Sequence, residues 1–73
     1  MDDRILVDPA ICHGKPVVRG TRTPVTVVLD ALAGGDAFET IVEDYRITVD
    51  DIRASIAFAS SELSSRTYHS LLV

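Results

Sequence analysis

The sequence predicts a mainly α-helical single domain in which a three-helix, helix-turn-helix unit follows a short N-terminal β-ribbon. Two features predict this fold class: apolar residues recur at helical spacing behind helix-start signals, and two short β-branched runs precede them. A length of 73 residues allows one domain at most, with a marginal core. A hydrophobic content of 47% without tryptophan is typical of a globular protein whose core is aliphatic.

The β-ribbon is predicted from two short runs near the N-terminus. The run "RILVD", from Arg4 to Asp8, is bounded by Pro9, and the run "VVRGT" begins at Val17. Both are typical of short strands closed by turn residues. A lone two-stranded ribbon is marginal in water, and we therefore expect it to pair with a second copy of the chain.

The first helix is predicted to start at Thr23 and Pro24. A threonine hydroxyl accepts a hydrogen bond from a free N–H at a helix start, and proline at the first helical position loses no hydrogen bond. Glycines 34 and 35 predict the helix end. The apolar residues of its predicted buried face are Val25, Val28, Leu29 and Leu32.

Two further helices follow, each opened by a pair of residues with capping-box spacing. Asp36 with Glu39 predicts the start of a short second helix, and Thr48 with Asp51 predicts the start of a third after the link "YRIT". The apolar residues of the second helix are Phe38, Ile41, Val42 and Tyr45. Those expected to share one side of the third are Val49, Ile52, Ile56, Ala59 and Leu63.

The domain is expected to cover residues 1–63, and residues 64–73 are expected to form a C-terminal tail. This serine-containing tail turns apolar in its last three residues. It is interpreted as a segment that docks on a partner, with an extension of the third helix or a dimer contact as the alternatives.

Charge is distributed unevenly along a chain of net charge −4. Residues 1–29 carry four basic side chains against three aspartates, for a net of +1. Residues 30–73 carry eight carboxylates against three arginines, for a net of −5. Any contact with a polyanion is therefore expected in the N-terminal third.

The residues that most resemble a catalytic or metal site are assigned structural roles. Cys12 and His13 are neighbours on a segment predicted to be extended, where they would point to opposite faces, so they do not predict a nucleophilic pair. Cys12 is expected to be a small apolar packing residue and His13 an exposed loop residue. The run "HGKP" lacks the upstream glycine and following Ser or Thr of a phosphate loop. No zinc-type spacing occurs, and we expect no catalysis, cofactor or metal.

The location expected from the sequence is the cytoplasm, without membrane contact. A single cysteine cannot form an internal disulfide, and the sequence has neither a signal-peptide pattern nor an apolar run of membrane-spanning length.

The basic residues of "HGKPVVRGTRTPV" are candidates for contact with DNA or another anion. These residues are Lys15, Arg19 and Arg22. Such side chains neutralise phosphates and make binding sensitive to salt. Ion pairing of the two arginines with Asp8, with Asp30 or with a partner chain is an equally weighted alternative.

The third helix does not have the charge of a DNA-reading helix. A helix-turn-helix reads the major groove with the first residues of its second helix. Those residues here include Asp50 and Asp51, which phosphates repel.

The runs "DPAICHGKPVVRGTRTPVTVVLDALAGG" and "DAFETIVEDYRITVDDIRASIAFA" resemble the family known as domain of unknown function 433, a VapB-like group of antitoxins. The resemblance spans about residues 4–59, and "RGTR" is its most specific element. The matching positions are Asp8, Pro9, Ile11, Gly14, Lys15, Pro16, Arg19, Gly20, Thr21, Arg22, Pro24, Val25, Gly34, Tyr45, Thr48 and Ile52.

This resemblance implies a homeodomain-like or winged-helix-like fold that dimerises and serves as the antitoxin of a type II toxin–antitoxin pair. The implied partners are a PIN-like ribonuclease toxin and operator DNA, and an acidic helical protein suits the basic RNA-binding surface of such a ribonuclease. The alternatives are a stand-alone DNA-binding regulator and a dimeric interaction module that binds no DNA. The candidate toxin contacts in and beside the tail are Arg66, Tyr68, Leu71, Leu72 and Val73.

Overall fold

The computed structural model describes residues 3–66, which form three α-helices behind a two-stranded antiparallel sheet. The prediction of a mainly helical chain with an N-terminal β-ribbon is therefore confirmed. The strands are β1 (Ile5–Leu6) and β2 (Val17–Val18), and the helices are α1 (Val25–Ala33), α2 (Phe38–Tyr45) and α3 (Val49–Ser64). A 3-10 turn at Cys12–Gly14 lies between the strands.

The β-ribbon is shorter than predicted and is supported by the helices of its own chain. Ile5 pairs with Val18 and Leu6 with Val17. The inward side chain of Ile5 packs with Val25 of α1 and Ala54 of α3. Pairing with a second copy stays a prediction, but the ribbon already has an apolar support within one chain.

The start of α1 differs from the prediction because Thr23 is engaged elsewhere. The capping residue is Pro24, and no side chain caps the helix. The carbonyl of Thr23 accepts the amide of Val18 (2.9 Å), and the amide of Val25 donates to the carbonyl of Pro16 (2.9 Å). This segment thus forms a ladder with β2, and the helix begins only after it.

The predicted capping box at the start of α2 is wrong, and the one at the start of α3 is confirmed. Asp36 donates its amide to the carbonyl of Ala31 (3.0 Å), so it closes the end of α1, and Ala37 caps α2 without a side-chain bond. At α3 the hydroxyl of Thr48 accepts the amide of Asp51 (3.1 Å), while the Asp51 carboxylate accepts the amide of Thr48 (2.9 Å).

The core consists of two apolar clusters that meet along α3. The larger joins β2, α1, α2 and α3 through the buried residues Val18, Val28, Ile41, Ile47 and Ile52. The smaller joins β1, α1 and α3 through Ile5, Val25 and Ala54. Ser55 of α3 is also fully buried, and its hydroxyl donates to the carbonyl of Asp51 (2.9 Å), which satisfies it.

The apolar side predicted for α3 is only partly buried. Ile52 is fully buried and Ala59 half-buried, whereas Val49, Ile56 and Leu63 are 39%, 43% and 59% exposed. The buried face is turned away from these three because β1 and α1 pack on the side of α3 that carries Ala54 and Phe58. We call Val49, Ile56 and Leu63 the α3 stripe.

Two isoleucines of α3 give a matched test of this packing. Ile52→Ala should lower the free energy of unfolding by about 2–5 kcal/mol, because it leaves a cavity among fully buried side chains. Ile56→Ala should cost less than about 1 kcal/mol, since the side chain already meets solvent. Urea denaturation of both variants checks the contrast, and equal losses would contradict the described packing.

Candidate interaction surfaces

The "RGTR" element forms a tight loop between β2 and the start of α1. The amide of Thr21 donates to the carbonyl of Val18 (3.1 Å), and Val18 in turn donates to Thr23 (2.9 Å). Gly20 has φ of +81°, a conformation that a residue with a side chain rarely adopts. The sequence therefore specifies a four-residue loop, Arg19 to Arg22, with a single backbone path.

The side chain of Thr21 fastens this loop from inside. Its hydroxyl donates to the carbonyl of Val18 (2.7 Å) and accepts the amide of Thr23 (3.0 Å). Both bonds are local links of the kind that threonine makes in turns. The two bonds restrict the conformations that the loop can adopt.

Arg19 is held by the segment that leads into β1. Its amide donates to the carbonyl of Arg4 (2.7 Å), and its Nε donates to the carbonyl of Asp3. A guanidinium has five N–H donors. The terminal nitrogens of this exposed side chain therefore still present donors outward from a fixed position.

Lys15 and Arg22 are exposed and make no ion pair within residues 3–66. Asp8, a predicted alternative partner of the arginines, accepts the amide of Ala10 instead (2.9 Å). The intramolecular pairing of Arg19 or Arg22 with Asp8 or Asp30 is thus absent from the described residues. Pairing with another chain stays open.

The three basic candidates are not all at one place. Arg19 and Arg22 bound the same loop. Lys15 lies at the foot of the ladder formed by residues 16–18 and 23–25, because Pro16 pairs with Val25 and Val17 with Pro24. Three residues of strand separate Lys15 from the loop, or roughly 10 Å.

Cys12 and His13 lie in the 3-10 turn and not on an extended segment, so that part of the prediction is wrong. Both have positive φ, +50° and +58°. Cys12 is half-buried, with its thiol 3.7 Å from the carbonyl of Arg22, and His13 is exposed. Cys12 thus ties the turn to the "RGTR" loop. Among the described residues no group of three His, Cys, Asp or Glu side chains is placed to hold a metal.

An ion pair fastens the N-terminal segment to the start of α3. The guanidinium of Arg4 lies 3.2 Å from the carboxylate of Asp51 and 3.7 Å from that of Asp50. Burial of Asp51 raises its pKa, but the hydrogen bonds from Thr48 and Arg4 outweigh burial and hold the pKa below the usual aspartate value. Arg4 thus pairs with both aspartates at the helix start, where the side chain of Asp50 stays 66% exposed.

Besides the basic "RGTR" loop, the chain has an acidic surface on its helices. Glu39, Glu43 and Asp44 of α2 are exposed, and α2 contains no basic residue. Of the toxin-contact candidates, Arg66 lies within residues 3–66. Its guanidinium is 3.8 Å from the carboxylate of Glu62, one helical turn earlier. The other toxin-contact candidates, Tyr68, Leu71, Leu72 and Val73, lie outside the described residues, as does most of the tail at residues 64–73.

Sequence reasoning missed two features of these surfaces. The Arg4–Asp51 pair joins residues 47 positions apart, and no local pattern reveals it. The exposed α3 stripe was hidden within a helical apolar pattern, since periodicity does not tell which part of an apolar side a neighbouring element covers.

Residues 5–59 match the family described as "Protein of unknown function (DUF433)". The chain belongs to this family. The match covers both strands, α1, α2 and most of α3, and so includes the "RGTR" loop and the α3 capping box.

This DUF433 chain is also similar to a curated protein named "Putative antitoxin VapB45" from Mycobacterium tuberculosis (strain ATCC 25618 / H37Rv). The two are 33% identical over 55 residues, which is 75% of this chain and 23% of the relative. The chain thus spans about a quarter of the length of that relative. No solved structure matches this chain. Within residues 3–66 no helix has the length and apolar character needed to cross a membrane.

The Arg4–Asp51 contact predicts a pH dependence of stability. The pKa of Asp51 is lower in the folded chain than the value of about 3.9 in an unfolded one. The stabilisation that the ionised carboxylate of Asp51 gives to the fold is therefore fully present above that unfolded pKa. It is lost as the pH falls through the lowered pKa of the folded chain. Asp51→Asn should lower the free energy of unfolding by about 1 kcal/mol at pH 7.

The difference between Asp51→Asn and the native chain should shrink as the pH falls below about 4. Denaturation with urea at pH 7, 5, 4 and 3 measures it. Asp44→Asn is the control, since Asp44 is exposed and has no hydrogen bond or ion pair within residues 3–66. A difference that stays constant with pH would show that the carboxylate of Asp51 carries no such contribution.

Proposed function

We propose that this DUF433 protein is the antitoxin of a type II toxin–antitoxin pair and that it binds and inhibits a PIN-like ribonuclease. The observation that carries the proposal is its similarity over 75% of its length to a protein named as an antitoxin. Antitoxins of this kind need no chemistry of their own. We infer that the protein acts without catalysis, as a cytoplasmic protein, by covering the cleft of its partner.

The charge on the helical surface supports this choice of partner. Glu39, Glu43 and Asp44 lie on α2 without a basic residue beside them in that helix. A ribonuclease binds RNA through a basic surface, and a protein that blocks this surface is favoured when it is acidic. The tail at residues 64–73, with Arg66, Tyr68, Leu71, Leu72 and Val73, is retained as a proposed toxin-docking segment.

Co-expression with the adjacent reading frame tests the proposal. The two proteins should purify as a stable complex, and addition of the antitoxin to the free ribonuclease should abolish RNA cleavage at a stoichiometric ratio. The Ile52→Ala variant, whose core is damaged, is the control for non-specific protection of RNA. A neighbour that is not a ribonuclease, or one that stays active with this protein in excess, overturns the proposal.

A second candidate function is repression of the operon by operator DNA binding, as a stand-alone regulator or in complex with the toxin. It is favoured by the exposure of Lys15 and Arg22 without an ion pair in residues 3–66, and by the donors left on the fixed guanidinium of Arg19. We infer that the rigid "RGTR" loop contacts phosphates in a homodimer with a helix-turn-helix fold. The start of α3 is unsuited to this role because Asp50 and Asp51 lie there.

A mobility shift on the promoter DNA tests the second candidate. The double variant Arg19→Ala/Arg22→Ala should bind more weakly by about tenfold or more and show a shallower dependence on salt, since each lost phosphate contact lowers the slope by about 0.9. The matched control is Arg46→Ala/Arg53→Ala, which removes the same charge from exposed positions of the acidic part. Equal effects of both pairs would place the DNA contact elsewhere, and no binding at low salt would leave an interaction module without DNA binding.

A further inference from the structure

We propose that the α3 stripe, Val49, Ile56 and Leu63, is the docking surface for the toxin, and that it inserts into an apolar groove bordered by basic residues. This inference rests on the proposed antitoxin function and names the surface that performs it. The stripe lies in α3. It is separate from the tail at residues 64–73, which the sequence analysis interprets as a segment that docks on a partner.

The stripe is a row of three apolar residues along one side of a helix. Its members recur every seven residues, so they lie above one another along α3. They are 39%, 43% and 59% exposed, and the exposure increases toward the C-terminal end of the helix. Apolar residues with this spacing are typical of a helix that lies in the groove of a partner.

The C-terminal turns of α3 have little support from the rest of the chain. The last buried residue of the helix is Ser55, and residues 60–66 are all exposed. This portion contains Ser60, Ser61 and Ser64, which are weaker helix formers than alanine or leucine. Most helical stability comes from packing of an apolar face, so a partner on Leu63 would supply what this end of the helix lacks.

The position of the stripe places it beside the acidic helix. Ile52 lies three residues after Val49 and four before Ile56, so it adjoins both on the helix surface. Ile52 packs with Ile41 and Ile47, which belong to α2 and to the turn that follows it. Val49 and Ile56 therefore lie on the α2 side of α3, and Leu63 continues the same line beyond them.

The charges on that side define the partner. The helix α2, which packs on that side, carries the exposed residues Glu39, Glu43 and Asp44 and no basic residue. Arg53 lies four residues after Val49 and three before Ile56, so it adjoins the stripe on the flank opposite Ile52. Complementary charge at the rim steers association and rejects wrong partners. The matching groove is apolar at its centre and basic at its edge, as expected of a protein that handles RNA.

The same charges disfavour the other occupants. In an antiparallel two-fold pairing of two copies through the stripe, the acidic α2 of both copies would lie at the same edge of the interface, where like charges repel. A nucleic acid would meet the same carboxylates with its phosphates. A basic protein is the occupant that gains from both parts of the surface.

The test compares two double variants and a control in titration against the purified ribonuclease of the adjacent reading frame. Ile56→Gln/Leu63→Gln should weaken binding about 100-fold, because the complex would no longer bury the apolar surface of these two side chains. Val7→Gln is the control, since Val7 is also apolar and 55% exposed but lies beside β1. It should change the affinity by less than about threefold.

Glu39→Gln/Glu43→Gln tests the rim. It should slow association and reduce the salt dependence of the association rate, while dissociation changes little. All variants should melt within a few degrees of the native chain, because the substituted side chains are exposed.

The outcomes separate this inference from the proposed function. Native affinity in Ile56→Gln/Leu63→Gln would overturn the role of the stripe and leave the antitoxin function standing. Absence of binding by the native chain would overturn both. If the free protein is a dimer that Ile56→Gln/Leu63→Gln dissociates and Val7→Gln does not, as measured by sedimentation, a second copy covers the stripe and the inference is wrong.

Discussion

The structure of the N-terminal half depends on a strand of only two residues. β2 pairs with β1 along one edge and with Thr23 and Pro24 along the other, and both of its valines are fully buried. The extended backbone at Val17 and Val18 therefore fixes β1, the "RGTR" loop and the entry into α1 at once. A slip of one residue in the pairing of β2 would change the partners of both valines. It would displace β1, the "RGTR" loop and the start of α1 together.

This constraint also separates the two surfaces. The ladder places the basic loop at its tip, and the carboxylates of α2 lie on the helical part of the chain. Because the two surfaces are formed by different elements, the proposed toxin on the helices and the proposed phosphate contact at the loop would not compete for the same residues. The buried cluster of Ile5, Val25 and Ala54 joins the two parts, and the ion pair between Arg4 and the start of α3 adds a polar contact beside it.

Much of the fold could be predicted from the sequence wherever the cause is local. The capping box at Thr48 and Asp51 was found because both of its bonds form within three residues. The similar signals at Thr23 and Asp36 misled because competing backbone hydrogen bonds engage those residues, Thr23 with Val18 in the β2 ladder and Asp36 with Ala31 at the end of α1. For the site, the sequence identified the basic loop residues and the acidic stretch at residues 30–73, but the exposure of Ile56 and the partner of Arg4 depend on how elements distant in sequence pack.

Gly20 shows what kind of variation the loop tolerates. A methyl group added there would meet no atom within 4 Å, so the demand for glycine comes from its φ of +81° alone and not from a lack of room. Asparagine and aspartate adopt this backbone region more readily than other residues that carry a side chain, and β-branched residues adopt it least. A relative with asparagine at this position would keep the shape of the loop and add a polar group beside its arginines. A relative with valine or isoleucine there would lose the turn itself, however well its remaining residues match.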